Sequence, residues 1–525
     1  MEAELLGEDA GTTESTDLAA FESYLRGKNS SERSVTVNEV ILRLVCKNLN
    51  IKLKDIANRI AHDQFHVEEG IFDVQISGSV QSSQTVNPGI PLKNDALQGS
   101  PGYENEFSRN RQNMANATVG QLLPTGGLVQ LLFENSGNYT NASKDYVSPY
   151  YQTQTGIQLS QPLLKNAGPL VTQANIVLSQ YNNMITSSQF RQQVIEEISF
   201  GVQQYYELIF TVANVDVLRI SLAQAEELLR VNSEKYKAGV LPELDVLQAQ
   251  SDVASRQEDI ITALQQVETV SDALKTRLAE ICEERTVSLR PGSPPDVFEY
   301  AIKERTFLNE AICYRPEFEQ VKLEIEKANL DVKVKQNQTM PAVDFFANYL
   351  TLANGKTNPD SINNSTSNDG ANWAVGVQFS YALQNRKARY QFHQAEKLLD
   401  ASFVQMQQTR DNIIFDVREK IRAVETNRQK IEVGKSTVRF NKAKVDSGQK
   451  RQAVGLATSF DVLAFQRDLA TARINLIRAV VDYNKAIVAL EAAKGTLLDR
   501  LNLVADGGVV IQTGNVPKKP FAVEN

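Results

Sequence analysis

Two apolar series with strict seven-residue spacing dominate the chain. One runs Val246, Val253, Ile260, Val267, Leu274, Ile281; the other runs Val462, Leu469, Leu476, Tyr483, Leu490, Leu497. Sustained heptads predict helices that supercoil left-handedly against neighbours. Extra apolar positions beside each series (Leu247, Ile261, Leu264, Leu278; Leu463, Ile477, Val481, Ile487) widen the stripe, so each helix is expected to touch more than one other. Each series begins one residue after an Asp that closes a similar segment. These segments are Gly239-Val240-Leu241-Pro242-Glu243-Leu244-Asp245 and Gly455-Leu456-Ala457-Thr458-Ser459-Phe460-Asp461. Gly suits the φ > 0 position that ends a helix. Pro242 suits the first position of the helix that follows. Thr458 and Asp461 have the spacing of a capping box, with Asp standing in for the usual Glu or Gln. The pattern predicts a duplicated helix–turn–helix.

Ahead of each turn the period changes twice. Val40, Ile41, Leu44, Val45, Leu49, Ile51, Ile56 and Ile60 predict one helix from Val35 to about Glu69, ended by Gly70. Phe72, Val74, Ile76, Gly78 and Val80 then alternate with polar residues, as in a strand with one wet face. Residues 84–115 read as a long polar loop. Residues 118–138 hold a short hairpin around Pro124–Gly127, and Gly156–Leu163 alternate again. A helical pattern from about Leu170 to Tyr236 predicts a helix of roughly 100 Å. The order returns in the second half. Leu308-Asn309-Glu310-Ala311-Ile312 echoes Val37-Asn38-Glu39-Val40-Ile41, and a strand follows Pro341 (Val343, Phe345, Ala347, Tyr349). After a polar loop over 353–372 comes the cleanest alternation in the chain, Trp373 to Leu383. A second very long helix then runs from about Arg386 to Val454. The chain thus divides into a polar, loosely ordered segment (1–34), a first repeat (35–282), an irregular, Pro-containing connector (283–306), a second repeat (307–501) and a tail (502–525).

Composition narrows the function. The 525 residues carry 55 Lys+Arg against 63 Asp+Glu, a net charge of −8, with no basic run suited to nucleic acid. No stretch of 18 apolar residues predicts a transmembrane helix, but strands of a membrane β-barrel are short and only half apolar and escape that test. Met1-Glu2-Ala3-Glu4-Leu5-Leu6 lacks a basic region followed by an apolar one, so no signal peptide is visible. Of three cysteines, Cys282 and Cys313 flank the connector and are placed to pair in an oxidising compartment; free thiols are the alternative. His62 and His66 stand four apart on a helix without a third ligand nearby, so no metal is expected. There is no nucleophile elbow, phosphate loop or CxxC, so neither catalysis nor a cofactor is expected.

One repeat offers two strands and two long helices, too little to close a core, and strands with open edges must pair with something. Strands from several chains closing into one barrel would resolve this. The order of Gln161-Pro162-Leu163-Leu164, Tyr236-Lys237-Ala238-Gly239 and Asp245-Val246-Leu247-Gln248-Ala249 resembles the TolC family of outer membrane efflux proteins, as does that of Val454 to Leu463, Asp468-Leu469-Ala470, Ala479 and Asp482-Tyr483-Asn484-Lys485-Ala486. The likeness extends from about Val35 to Leu501. It implies a mainly α fold with a membrane β-barrel: a homotrimer with four strands per chain in a twelve-stranded barrel, continuing into a periplasmic α-helical barrel. It also implies an exit duct without enzymatic activity, seated in outer membrane lipid. The tunnel would dock on a periplasmic membrane-fusion adaptor that links it to an inner-membrane pump of RND, ABC or MFS type.

The resemblance further implies an acidic constriction on the second turn. Asp461 falls on its first position, with Asp245 its counterpart in the first turn, while Ala464 stands where a second acid is implied. Both aspartates also suit simple helix capping. Gly239, Val240, Leu241 and Pro242, with Gly455, Leu456, Ala457, Thr458 and Ser459, form the implied adaptor-docking surface; turn geometry alone accounts for the glycines. The competing reading is a cytoplasmic coiled-coil scaffold, which would have no use for the Trp373–Leu383 alternation.

Overall fold

The computed structural model describes residues 32–87, 108–140, 148–281, 287–292, 298–365, 370–506 and 509–512. They form two compact units. A helical unit comprises Met1–Arg59, Ile185–Val321 and Gln405–Asn525, and a sheet unit comprises Ile60–Met184 and Lys322–Val404.

In the helical unit, strand β1 (Glu32–Val35) leads into helices α1 (Val37–Lys47) and α2 (Leu49–Glu69), where the periodicity predicts a single helix. Asn48 makes the break. Its side-chain carbonyl accepts from the backbone N–H groups of Asn50 (2.8 Å) and Ile51 (3.1 Å), capping α2. Its amide donates to Glu197 (3.1 Å) and to the Arg277 carbonyl (3.0 Å). A short polar side chain that satisfies helix-end donors competes with helix continuation. Further helices of the chain are α3 (Ala174–Lys237), α4 (Glu243–Arg277) and, in the second half, α5 (Glu304–Tyr314), α6 (Pro316–Gln338), α8 (Arg386–Ala453) and α9 (Ser459–Lys494), of which α4 and α9 carry the heptad series. Arg315 breaks the α5–α6 pair in the same extended conformation as Asn48. Matching the two breaks places Val37 opposite Glu304. The sequence echo at Leu308 is therefore shifted by about one helical turn, a slip that periodicity cannot detect.

Residues expected to be loose or irregular are structured. β1 pairs in parallel with β6 (Ser288–Pro291), lying inside the segment read as an irregular connector. Val35 and Leu289 of this ladder are fully buried. The core they join is built from Val194, Ile198, Val202 and Tyr205 of α3, Ile260, Val267 and Leu274 of α4, and Tyr483, Ile487 and Leu490 of α9. Helix α3 contains one window long and apolar enough to cross a membrane, which the sequence reading did not find. Of that window 44% is buried within the chain. Cys313 is an exposed free thiol, and Cys282, its expected partner, lies outside the described residues.

The sheet unit departs furthest from expectation. Its strands are β2 (Gln75–Asn87), β3 (Ser108–Leu122), β4 (Leu128–Thr140), β5 (Tyr150–Pro162), β7 (Ala342–Gly355) and β8 (Ala371–Ser380). They form one antiparallel sheet in the order β2-β3-β4-β5-β7-β8. The four strands implied by the resemblance are therefore six among the described residues. Of the expected loop over 84–115, residues 84–87 and 108–115 are strand, because their polar residues complete ladders (Thr85 opposes Asn110, which opposes Thr140), and residues 88–107 lie outside the described residues. The expected short hairpin is long, and its turn closes with the Gly126 N–H donating to the Leu123 carbonyl (2.8 Å). The loop expected over 353–372 also contains helix α7 (Asn358–Asn364), whose Ser361 meets Thr153 at 3.0 Å and is fully buried.

Register gives the sheet two unlike faces. On one, Ile76, Val119, Leu131, Ile157, Tyr349 and Trp373 form a continuous row across all six strands. The next row on the opposite face reads Gln75, Gly120, Gln130, Gln158, Asn348 and Ala374. On the single chain Ile76 is 78% and Trp373 75% exposed, so this row is left uncovered, while further along the same face α7 packs on Asn135 and Thr153.

Helix α3 crosses α1 closely at Gly201, where a Cβ would lie 2.2 Å from Cδ1 of the buried Leu44. Gly201→Val is expected to destabilise the helical unit by about 1–3 kcal/mol through overpacking, read as a lowered thermal midpoint in detergent. Glu491 is buried, with the Tyr300 and Thr496 hydroxyls and the Arg500 guanidinium donating to it and Lys494, which also pairs with Glu310, 3.2 Å away. Burial pushes its carboxyl up, but these partners outweigh burial and hold it below the usual range. A depressed native value means stability that is complete above the unfolded value and is lost as pH falls through the native one. Glu491→Gln should therefore destabilise by up to ~3 kcal/mol at pH 7, and the difference from wild type should shrink as pH falls below the ordinary carboxylate range, measured by thermal unfolding across pH.

Candidate functional site

The two turns singled out by the sequence have the same backbone construction. After α3, the Gly239 N–H donates to the Tyr236 carbonyl (2.8 Å) and the Val240 N–H to that of Lys235 (3.0 Å). After α8, Gly455 bonds to Gln452 (3.1 Å) and Leu456 to Arg451 (2.8 Å). These are paired Schellman closures with glycine at the left-handed position, φ +75° and +77°. An added Cβ would meet nothing within 4 Å at either glycine, so backbone conformation alone demands them.

The turns differ at the start of the next helix. Before α9 the expected capping box forms. The Asp461 N–H donates to Thr458 Oγ1 (3.2 Å), while the Thr458 N–H (3.0 Å) and hydroxyl (2.7 Å) both donate to Asp461 Oδ2. The hydroxyl first, then the N–H, holds the Asp461 carboxyl below its usual range, with a further contribution from Arg451. Before α4, Pro242 occupies the cap itself, one residue earlier than its spacing predicts, and supplies no side-chain cap. Asp245 lies in the first turn of α4, where its charge complements the helix end, and forms no matching box.

Around both turns apolar side chains stand in the open. Val240 is 74% exposed and Leu456 69%, with Leu244, Val454 and Phe460 similarly exposed. Ala457 is half-buried and Ser459 buried. Ser459 therefore does not lie on the surface the sequence assigns it to; its hydroxyl donates to the buried Asn232 (3.3 Å) and accepts from Gln452 (3.1 Å). Asn232 in turn donates to the Asp245 carbonyl (3.5 Å), so one residue ties the two hairpins side by side. Leu228, Val462 and Leu463 pack together beside it. Further along, Asp252 accepts from Arg256 (2.6 Å) and from Arg467 of α9 (2.8 Å), and Glu207 accepts from Arg478 (2.9 Å) and Lys485. Sequence reasoning missed Asn232 and these ion pairs. Asn232, Asp252 and Arg256 are buried polar residues, and their interruption of an apolar stripe was the only signal.

The remaining candidates have simpler settings. His62 and His66 meet edge to face at 4.9 Å, and His66 approaches Glu69 at 2.8 Å. Among the described residues no group of three or more His, Cys, Asp or Glu is placed to hold a metal. Gln161, in the motif that ends β5, accepts from the Thr125 hydroxyl (2.8 Å) and donates to its carbonyl (3.1 Å), bracing the β3–β4 turn.

Known proteins share this architecture. Residues 307–496 match the family model described as outer membrane efflux protein. The chain is 22% identical over 380 residues to the outer membrane efflux protein BepC of Brucella suis biovar 1 (strain 1330), covering 70% of this chain and 78% of that one. Among solved structures it is similar to the Campylobacter jejuni CmeC outer membrane channel, with a TM-score of 0.64, 17% identity and coverage of 88% of this chain and 85% of that one. It is likewise similar to the open state of the Neisseria gonorrhoeae MtrE outer membrane channel, with a TM-score of 0.61, 13% identity and coverage of 87% and 88%. With its duplicated strand and long-hairpin order, its one-sided sheet and its paired glycine turns, the chain has the TolC-like fold, and its residues 307–496 carry the match to the outer membrane efflux protein family.

Proposed function

We propose that three copies of this chain assemble into an outer membrane exit duct, which receives cargo from an inner-membrane pump through a periplasmic adaptor and passes it outward without chemistry. The apolar row from Ile76 to Trp373 carries this reading. A face of that extent, backed by Gln75, Gln130, Gln158 and Asn348, suits lipid outside and water inside a closed barrel. Helix α8 supports the assembly. It buries Ile413, Val417, Ile421 and Val424 against its own chain, yet leaves Val433, Phe440 seven residues on and Val454 fourteen further about two-thirds exposed. A second heptad seam facing away from the home core fits a neighbouring copy. In each copy, the two repeats over 35–282 and 307–501 would contribute one helical hairpin apiece to the tunnel. A cytoplasmic scaffold leaves the apolar sheet face unexplained.

The exposed turn residues Val240, Pro242, Leu456 and Thr458, with the half-buried Leu241 and Ala457, are the proposed adaptor-docking surface, and Gly239 and Gly455 shape it. The chemistry is small and apolar, suited to another helical hairpin. Asp461 serves as helix cap and, three times over in the trimer, as an acidic ring at the tunnel mouth. The pump's class is open to RND, ABC and MFS types, and nothing at the turns separates them.

Fractionation of the full-length product should find a trimer in outer membranes that falls to monomer on boiling; a soluble species would overturn the duct. Val240→Asp with Leu456→Asp should leave that trimer intact but weaken adaptor binding tenfold or more, roughly 1.4 kcal/mol, measured by co-purification and export. Undiminished export would remove the docking role. Thr458→Ala should cost about 1 kcal/mol locally, read as faster amide exchange over residues 459–462, with export unaltered if the cap is purely structural.

A further inference from the structure

The six-stranded sheet has a consequence for the pore. We propose that the membrane barrel of the assembled protein contains eighteen strands, six from each of three copies, and that its outer membrane exit is about one and a half times as wide as a twelve-stranded barrel. The proposal rests on the duct reading above and concerns what the β3–β4 hairpin does within it.

A hairpin inserted between β2 and β5 has two destinations: the barrel wall, or a flap lying over or inside it. Three observations place it in the wall. First, β3 pairs along its length with β2 on one side and β4 on the other, and β4 pairs with β5; β2 and β5 do not neighbour one another. Removing the hairpin from the wall would break both of its outer ladders, leaving their N–H and C=O groups without partners in lipid. Second, the hairpin continues the two-faced pattern. Val119 and Leu131 sit in the row between Ile76 and Ile157, while Gly120 and Gln130 sit between Gln75 and Gln158. A flap bathed in water has no reason to keep one apolar face in register with its neighbours. Third, β3 and β4 have 15 and 13 residues, against 13 each for β2 and β5, and the ~9–11 needed to span a membrane when tilted.

Closure is also consistent. The six strands alternate in direction, so the edge strands β2 and β8 run oppositely. Joining β2 of one copy to β8 of the next keeps every pair antiparallel around a ring of eighteen, an even number as such barrels require. With strands ~4.8 Å apart and tilted by ~40°, eighteen enclose a ring ~36 Å across the backbone, against ~24 Å for twelve. That is the size class of porins, whose lumen is an aqueous channel. The outer membrane exit then passes bulky hydrated cargo, and size selection falls to the helical part of the duct.

The chain contains a single tryptophan, Trp373, in the apolar row, which makes it its own probe. Trimers are placed in vesicles of brominated phosphatidylcholine, which quenches tryptophan exposed to acyl chains, and compared with iodide, which quenches from water. Native Trp373 should be quenched by bromolipid. In a Trp373→Phe background, Val119→Trp and Leu131→Trp should be quenched to the same extent as Trp373, and Gln130→Trp should respond to iodide instead. If Trp373 itself ignores bromolipid, the duct reading fails and this proposal with it. If Trp373 is quenched while Val119→Trp and Leu131→Trp respond only to iodide, the hairpin lies outside the wall and the eighteen-stranded barrel alone is overturned. Electron cryomicroscopy of the native trimer in nanodiscs, which needs no variant to fold, should count eighteen strands in the membrane section; twelve would refute the proposal.

Discussion

A β-strand in a membrane must satisfy every backbone N–H and C=O from another strand, because lipid offers no alternative partner. The sheet of this protein meets that requirement along five ladders and leaves it unmet at two places, the outer edges of β2 and β8. Those open edges, on a sheet with one apolar face, mean that the single chain is an unfinished object. Closure with further copies supplies the missing bonds and at the same time gives the apolar face its lipid and the polar face its water. The exposed second seam of α8 presents the same situation in helical form, with an apolar stripe that its own chain does not cover.

The helical unit solves a different problem, that of holding very long helices in register. Heptad packing alone tolerates slips of a turn, and the displaced echo between Val37 and Leu308 illustrates how little such periodicity specifies. Register is fixed by polar residues within the stripes. Asn232 joins both hairpins at their turns, Asp252 bridges Arg256 and Arg467, and Glu207 gathers Arg478 and Lys485. A buried polar group left without its partner costs more than the pair gains, so the contacts of the buried Asn232 and Asp252 penalise alternative alignments. Gly201 adds a steric version of the same constraint, since only a residue without Cβ allows α1 and α3 to approach so closely.

The two turns show how equivalent positions diverge after duplication. The Schellman closures match bond for bond because both follow from a glycine ending a long helix. The helix starts differ because Pro242 and Thr458 offer different chemistry at the same place, one with a fixed φ and no side-chain acceptor, the other with a hydroxyl. Asp461 is thereby locked by Thr458, whereas Asp245 is not.

What the sequence determined by itself is whatever depends on local periodicity and local capping. The long helices end within a few residues of their expected bounds, at Lys237 and Ala453. Both glycine turns, the Thr458–Asp461 box and the alternation through Trp373 are likewise legible, because each is set by residues a few positions apart. Tertiary structure decided the rest. Residues 108–116, Ser-Arg-Asn-Arg-Gln-Asn-Met-Ala-Asn, carry no strand pattern and become strand because β2 and β4 offer backbone partners on both sides. The helix expected to run unbroken to Glu69 stops at Asn48 because Glu197 and Arg277, far along the chain, meet its side chain there. The polar ladders take their energy from strand partners tens of residues away and the Asn48 contacts from partners 149 and 229 residues away, so no local pattern in the sequence contains both halves of such a bond.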